Sequence, residues 1–188
     1  MMFNVAGIAG SLRRASYNRA LLRAAAELVP ATLHVEIHPL DDIPLYNGDV
    51  EEAGVPASVA ALRDAVRQAD ALLIATPEYN HGVPGVLKNA IDWLSRPPRD
   101  SALNGKVAAL MGASPGMTGT ARAQSQLRQA FVFTNTYALR QPEVLVGRAH
   151  EKFDADGRLT DQATRDIVAT LLQRFADLLA LHAGPKTD

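Results

Sequence analysis

Short apolar runs alternate along this chain with segments whose apolar residues recur at helical spacing, and this alternation restricts the fold more than any other feature. The runs at 71–75 and 107–111 are apolar on both faces, which is typical of central strands covered by helices on both sides. Further strands are predicted at 3–9, 33–37 and 144–146. Helices are predicted at 17–28, 59–66, 86–94, about 120–131 and 167–179. The order β-α-β-α-β-α-β-α-β-α predicts a parallel sheet flanked by helices.

Five strands in this order fit an α/β fold with a flavodoxin-like, doubly wound, five-stranded parallel sheet and helices on both faces. The segment 39–56 is predicted to be a loop, because it is rich in proline and acidic residues. A length of 188 residues without a repeat or a linker predicts a single domain over residues 1–188. In a sheet of this kind ligands bind beyond the carboxyl ends of the strands, so the loops at those ends decide the function.

Composition and residue spacing argue against several classes of partner and of functional site. With 19 Lys plus Arg and 20 Asp plus Glu the formal charge is −1, which argues against a nucleic-acid partner. The absence of cysteine excludes disulfides, thiolate nucleophiles and Cys-ligated metals. His34 and His38 would lie about 13 Å apart on a strand, too far to share a metal ion, so we expect no metal. No run approaches about 18 apolar residues and the N-terminus has no basic leader, so we expect a cytoplasmic protein without membrane association.

The first loop follows the first strand and opens the first helix. The N–H groups and the dipole of a helix N-terminus favour an anion. Side-chain donors are available from Ser11, Arg13, Ser16 and Asn18. The loop matches neither GxGxxG nor GxxxxGK[ST], and its single glycine suits a phosphate monoester better than a pyrophosphate. An ordinary serine N-cap beside a solvated arginine pair is the alternative.

The second loop, residues 76–85, follows the central strand. It contains two prolines and two glycines, which form a rigid turn able to present backbone N–H and C=O groups to a flat polar ring. The alternative is a proline-rich connection without a ligand. His81 lies in this loop, and both a substrate contact and an ordinary turn position are open to it.

The third loop begins Gly112-Ala113-Ser114-Pro115-Gly116, and its G-x-S-x-G spacing resembles the nucleophile elbow of α/β-hydrolases. The oxyanion hole of those enzymes uses the N–H group that follows the serine, and Pro115 has none. A donor of that kind contributes roughly 2.7–4 kcal/mol. A serine hydrolase using Ser114 is therefore the lower-ranked hypothesis, and a glycine-rich lip over a flat ligand is preferred.

Longer motifs connect these loops to a known family. They are Gly10-Ser11-Leu12-Arg13 with Ser16 and Asn18, Pro77-Glu78-Tyr79-Asn80, the segment 83–97, the segment 119–124 and Leu127-Arg128-Gln129. Together they resemble the NADPH-dependent FMN reductase family, and within it the bacterial chromate, quinone and azo reductases. The resemblance implies non-covalently bound FMN, NAD(P)H as co-substrate, and a homodimer or homotetramer. It also implies a small-molecule electron acceptor, such as a quinone, chromate, an azo compound or free flavin.

The same resemblance assigns residues to the parts of FMN. The residues assigned to the phosphate are Ser11, Arg13, Ser16, Tyr17 and Asn18. Those assigned to the isoalloxazine ring are Pro77, Glu78, Tyr79 and Asn80, with Gly82 beside them and Ser114 on the far side of the ring. No catalytic side chain is expected, because the flavin carries the chemistry. A flavodoxin-type electron carrier is the non-enzyme alternative, although a charge of −1 gives little field for steering protein partners.

Overall fold

A computed structural model describes residues 1–183 and contains a parallel sheet between two layers of helices. The strands are β1 (Phe3–Ala9), β2 (Leu33–His38), β3 (Ala71–Ala75), β4 (Val107–Ala113), β5 (Tyr137–Ala138) and β6 (Val144–Val146). The α-helices are α1 (Tyr17–Leu28), α2 (Gly48–Ala53), α3 (Ala57–Gln68), α4 (Gly85–Leu94), α5 (Ala121–Phe133) and α6 (Gln162–His182). Short 3₁₀ turns lie at Pro98–Asp100 and Ala149–Glu151.

The sheet has the order β2-β1-β3-β4-β5, and all of its pairings are parallel. β6 also pairs with β4, further along the same edge: β5 pairs with Val107 and Ala108, whereas β6 pairs with residues from Met111 to Ala113. Two short strands thus occupy the fifth position of the sheet. The predicted α/β, flavodoxin-like, doubly wound architecture is confirmed.

Alternate residues of the central strands point into two separate cores. Leu72 and Ile74 of β3 pack with α3, α4 and α5, whereas Leu73 packs with α1 and α6 on the opposite face. All five residues of β3 are buried. The helices on both faces explain why this strand is a continuous apolar run and not an alternating one.

Three details differ from the prediction. Helix α2 lies in the segment predicted as a loop; Asn47 caps it by accepting the N–H of Asp49 at 2.9 Å, and none of its residues is buried, so no apolar repeat marks it. β5 was not predicted, because two residues show no periodicity.

β4 continues through Gly112 to Ala113. A side chain at Gly112 would overlap the Thr120 hydroxyl and the Thr76 carbonyl oxygen, so glycine is needed here for close packing and not to end the strand.

Two features of residues 1–183 concern membranes and metal ions. No helix there combines the length and the apolarity needed to cross a membrane. In the same residues no three His, Asp or Glu side chains are grouped so that they could hold a metal ion. The segment around Asp154 is a turn, in which the Asp154 carboxylate accepts the N–H groups of Asp156 and Arg158 at 3.0 and 2.8 Å.

Candidate functional site

The three predicted loops meet at the carboxyl edge of the sheet. In the structure β4 extends to Ala113, and the helices that follow the loops begin at residues 17, 85 and 121. The first loop therefore comprises residues 10–16, the second 76–84 and the third 114–120. Backbone hydrogen bonds continue the strand pairing into each loop: Gly10 N–H donates to Ala75 O, Thr76 N–H to Met111 O, and Ser114 N–H to Val146 O, each at 2.9 Å. The loops therefore begin side by side, as the topology predicts.

The first loop supplies hydrogen-bond donors at the N-terminus of α1. Ser16 is the N-cap, and its Oγ accepts the N–H groups of Asn18 and Arg19 at 3.2 and 3.3 Å. Its hydroxyl proton can still be donated. Ser11 is also buried, and its Oγ accepts the N–H of Arg13 at 3.4 Å. Arg13 is exposed and forms no ion pair within residues 1–183.

The side chains of two other residues assigned to the phosphate contact other parts of the chain. The Asn18 side chain donates to the carbonyl of Ala113 at 2.9 Å and accepts the N–H of the same residue at 2.8 Å. The ring of Tyr17 packs on Phe153, with ring centroids 5.5 Å apart, in the core formed by α1 and α6. Asn18 therefore joins α1 to the end of β4, and the Tyr17 ring contributes to packing.

The second loop contains a tight and strained turn. Gly82 N–H donates to Tyr79 O at 3.0 Å, and Tyr79 N–H donates to Gly82 O at 3.2 Å. The two central residues, Asn80 and His81, have φ angles of 51° and 62°, the left-handed values of a type I′ turn. Such values cost roughly 1–3 kcal/mol for a residue with a side chain, and this kind of strain concentrates at functional sites. Tyr79, 53% exposed, stands beside the turn.

Glu78, near the start of the second loop, is held by the N-terminus of α5. Its Oε2 accepts the N–H groups of Arg122 and Ala123 at 2.9 and 3.1 Å, and its Oε1 accepts the Arg122 guanidinium at 3.2 Å. Burial raises the pKa of Glu78, but the hydrogen bonds from Ala123 and Arg122 and the arginine charge outweigh it and leave the pKa below its ordinary value. Glu78 is therefore an anionic cap of α5.

The opposite end of the second loop is also held by α5. The N–H of Val83 donates to Oε1 of Gln126 at 2.7 Å. Sequence reasoning gave no role to Arg122 or Gln126. Their i, i+4 spacing places both on one face of α5, which is the only local signal of a shared contact.

Ser114, at the start of the third loop, lacks the partners of a nucleophile. Its Oγ accepts the N–H of Gly116 at 3.1 Å, and its carbonyl accepts the N–H of Ala149 at 3.0 Å. Within residues 1–183 no histidine hydrogen-bonds to it. Pro115 follows without an N–H group, so neither the base nor the oxyanion hole of a hydrolase is present around this serine.

Known proteins have similar sequences over most of the chain. Residues 3–151 match the family described as NADPH-dependent FMN reductase. An NAD(P)H-dependent FMN reductase of Pseudomonas aeruginosa is 52% identical over 169 residues, which are 90% of this chain and 91% of that protein. A quinone reductase of Pseudomonas putida is 42% identical over 181 residues, covering 96% of this chain and 97% of its own.

Solved structures agree with the sequence relatives. The flavoenzyme NAD(P)H:(acceptor) oxidoreductase FerB from Paracoccus denitrificans superimposes with a TM-score of 0.88 at 37% identity, over 96% of this chain and 99% of its own. The matches confirm the predicted resemblance, the oxidoreductase class, and FMN with NAD(P)H as the cofactor pair of the family. Fold, loop geometry and sequence relatives thus lead to one conclusion: the chain belongs to the NADPH-dependent FMN reductase family.

Proposed function

We propose that this chain holds FMN along its three loops and uses NAD(P)H to reduce quinones, with the flavin phosphate at the first loop and the ring along the second. The observation that carries the proposal is the meeting of these loops at the carboxyl edge of the sheet, beside the N-terminus of α1. Chromate, azo compounds and free flavin are proposed as further acceptors. A cytoplasmic location and a homodimer or homotetramer stay predictions.

The first loop fits a phosphate dianion in its chemistry. Residues 10–18 include two serine hydroxyls, two arginines and the first-turn N–H groups of α1, and no acidic residue. The acidic side chain paired with α1, Asp41, lies 3.6 Å from the guanidinium of Arg19. Ser11, Ser16 and Arg13 would hold the phosphate through hydrogen bonds and charge.

The second and third loops fit a flat, polar ring. Pro77, Tyr79, Asn80 and Gly82 form or flank a rigid turn whose peptide groups can pair with the ring edge, and the half-exposed Tyr79 offers an aromatic surface. Ser114, on the opposite loop, would border the far side of the ring. The residues after Ser114, 115–118, are exposed, so planar substrates would approach from this side.

FMN, when bound, would supply the redox chemistry, which is two-electron transfer from NAD(P)H to the acceptor. The residues of the chain orient the ring and leave one face open. No side-chain base is required, because a hydride moves directly and solvent can protonate a reduced quinone. Quinones are the preferred acceptors because the relatives from Pseudomonas putida and Escherichia coli are named quinone reductases.

Donor and acceptor are proposed to use the same open face in turn. The support is that the chain has no second nucleotide-binding motif such as GxGxxG, and that the three loops border a single edge of the sheet. The oxidised donor must then leave before the quinone enters, which is ping-pong behaviour.

Initial rates against NAD(P)H at several fixed quinone concentrations test this proposal. Parallel double-reciprocal lines are expected for a shared face. Lines that intersect would show a ternary complex and exclude the single-face arrangement. The same assay separates an enzyme from an electron carrier, since a carrier would not sustain NAD(P)H consumption with a quinone.

A further inference from the structure

We propose that Asn18 and Glu78 are positioning residues, and that neither contacts the flavin through its side chain. Asn18 joins the start of α1 to the end of β4, and Glu78 joins the second loop to the start of α5. This inference rests on the proposed FMN site and deepens it. Both residues belong to motifs that the resemblance assigns to the cofactor. In the structure each side chain hydrogen-bonds to an element that is distant along the chain: Asn18 to the end of β4, and Glu78 to the start of α5.

Asn18 connects the first turn of α1, which follows the first loop, to the last residue of β4, which precedes the third loop. It is 3% exposed, and its amide forms a bidentate pair with the backbone of Ala113, 95 residues away. An amide side chain offers one carbonyl oxygen and two N–H donors, and this pair uses the oxygen and one donor. Both the N–H and the C=O of Ala113 are thus satisfied by the Asn18 side chain. The first turn of α1 is thereby fixed relative to Ser114, the next residue after Ala113.

Glu78 connects the second loop to α5. Both of its carboxylate oxygens accept hydrogen bonds from Arg122 and Ala123, and its side chain is 8% exposed. Gln126 of the same helix holds the far end of the loop at Val83. The left-handed pair Asn80–His81 lies between these two attachments. A turn that stores strain persists only when its surroundings fix both ends, and α5 provides both.

Loss of a positioning residue and loss of a phosphate ligand should have different effects on the affinities for FMN and riboflavin. Riboflavin has the ring of FMN but lacks the phosphate, so loss of a phosphate ligand weakens FMN binding alone. Loss of a residue that positions the first loop against the third disturbs the whole site, and the affinity for both flavins falls. Loss of a tie also lowers the stability of the ligand-free protein.

Fluorescence titrations of the full chain with FMN and riboflavin test Asn18. The Asn18→Ala variant is expected to lower the affinities for FMN and riboflavin by the same factor and to lower the Tm of the ligand-free protein. Arg13→Ala is the reference for loss of a phosphate ligand, and it should lower the affinity for FMN alone. If Asn18→Ala does not fold, Asn18→Asp keeps the size and the acceptor oxygen and loses the donor to Ala113. If Asn18→Ala lowers the affinity for FMN but not for riboflavin, and leaves Tm unchanged, the role proposed for Asn18 is overturned.

Glu78 is tested through the second loop, with the absorbance spectrum of bound flavin as the readout. Glu78→Ala is expected to shift that spectrum and to raise the quinone KM more than it lowers kcat. Gln126→Ala, which frees the other end of the loop, should shift the spectrum in the same direction. Glu78→Gln keeps one acceptor oxygen and should restore part of the effect. A shift with Glu78→Ala but none with Gln126→Ala would indicate direct contact with the flavin and overturn the positioning role.

The wild-type protein distinguishes failure of the proposed function from failure of the inference. If it binds neither flavin, both fail. If it binds FMN and riboflavin, but Asn18→Ala loses affinity for FMN alone or only Glu78→Ala shifts the spectrum, the inference alone is overturned.

Discussion

Neighbouring arginines in the first loop differ in their expected roles. Arg13 and Arg14 are both exposed, carry the same charge and lie next to each other in the sequence. Only Arg13 belongs to the motif that is assigned to the flavin phosphate. The pair therefore offers a test in which net charge is matched and position alone differs.

Arg13→Ala is predicted to remove a charged hydrogen bond to the phosphate, worth roughly 1.5–3 kcal/mol. That corresponds to a fall in FMN affinity of about 10- to 150-fold. Arg14→Ala is the control and should change FMN affinity little. The measurement is a fluorescence titration of each variant, and equal FMN affinity for Arg13→Ala and wild type would place the phosphate elsewhere.

Sequence patterns identified local roles of residues better than distant ones. Ser16 caps α1, as its position before the first helical repeat allows. The partners of Asn18 and Glu78 lie 95 and about 44 residues away, and no local spacing encodes them. Both residues were correctly located at the edge of the sheet, but what their side chains contact depends on tertiary packing.

Elements that carry many buried residues were predicted, and exposed ones were missed. β3 and β4 are apolar throughout, so their positions follow from the sequence. Helix α2 has no buried residue, and β5 has two residues, so neither leaves a periodic signal. Short elements of this kind form because the surrounding chain holds them in place.

Gly112, near the end of β4, tests how closely the second and third loops approach. Gly112→Ala would place a methyl group against the Thr76 carbonyl and the Thr120 hydroxyl, both inside the packed structure. Overpacking of this kind typically costs about 1–3 kcal/mol, and in a domain of this size each kcal/mol lowers Tm by roughly 2–4 °C.

Gly116→Ala is the matched control, because the nearest atom to its added methyl group would be Oγ of Ser114 at 3.5 Å. Thermal unfolding of both variants checks the prediction. A Tm for Gly112→Ala equal to that of Gly116→Ala would show that the close approach at Gly112 is not required.

The N-terminus of α6 gives the fold a dependence on pH. Asp161 caps this helix, and hydrogen bonds from Lys152 and then Thr164 lower its pKa from 3.8 to about 2. Because the pKa is lower in the folded chain, ionised Asp161 stabilises the fold above the unfolded value of about 3.9. This contribution is lost as the pH falls from that value through about 2.

Asp161→Asn is therefore predicted to lower Tm at pH 7, with a difference from wild type that shrinks as the pH falls below about 4. Thermal unfolding of both proteins, down to the lowest pH at which both fold, measures that difference. A gap in Tm that stays constant over this range would contradict the role given to the Asp161 charge.

At the scale of the whole molecule, the topology brings together segments that are far apart in the sequence. The loops after β1, β3 and β4 start at residues 10, 76 and 114, and the parallel sheet places all three at one edge. The location of the proposed site therefore follows from strand order alone. The proposed division between flavin ligands and positioning residues rests on the side-chain contacts.

The central claim is that this edge holds FMN and passes electrons from NAD(P)H to a quinone. Its most direct test is the absorbance spectrum of the purified protein with FMN, recorded under anaerobic conditions before and after NAD(P)H is added, and again after a quinone. The predicted result is a bound-flavin spectrum that bleaches with NAD(P)H and returns with the quinone. A protein that binds no flavin, or whose bound flavin NAD(P)H does not bleach, would contradict the proposed function.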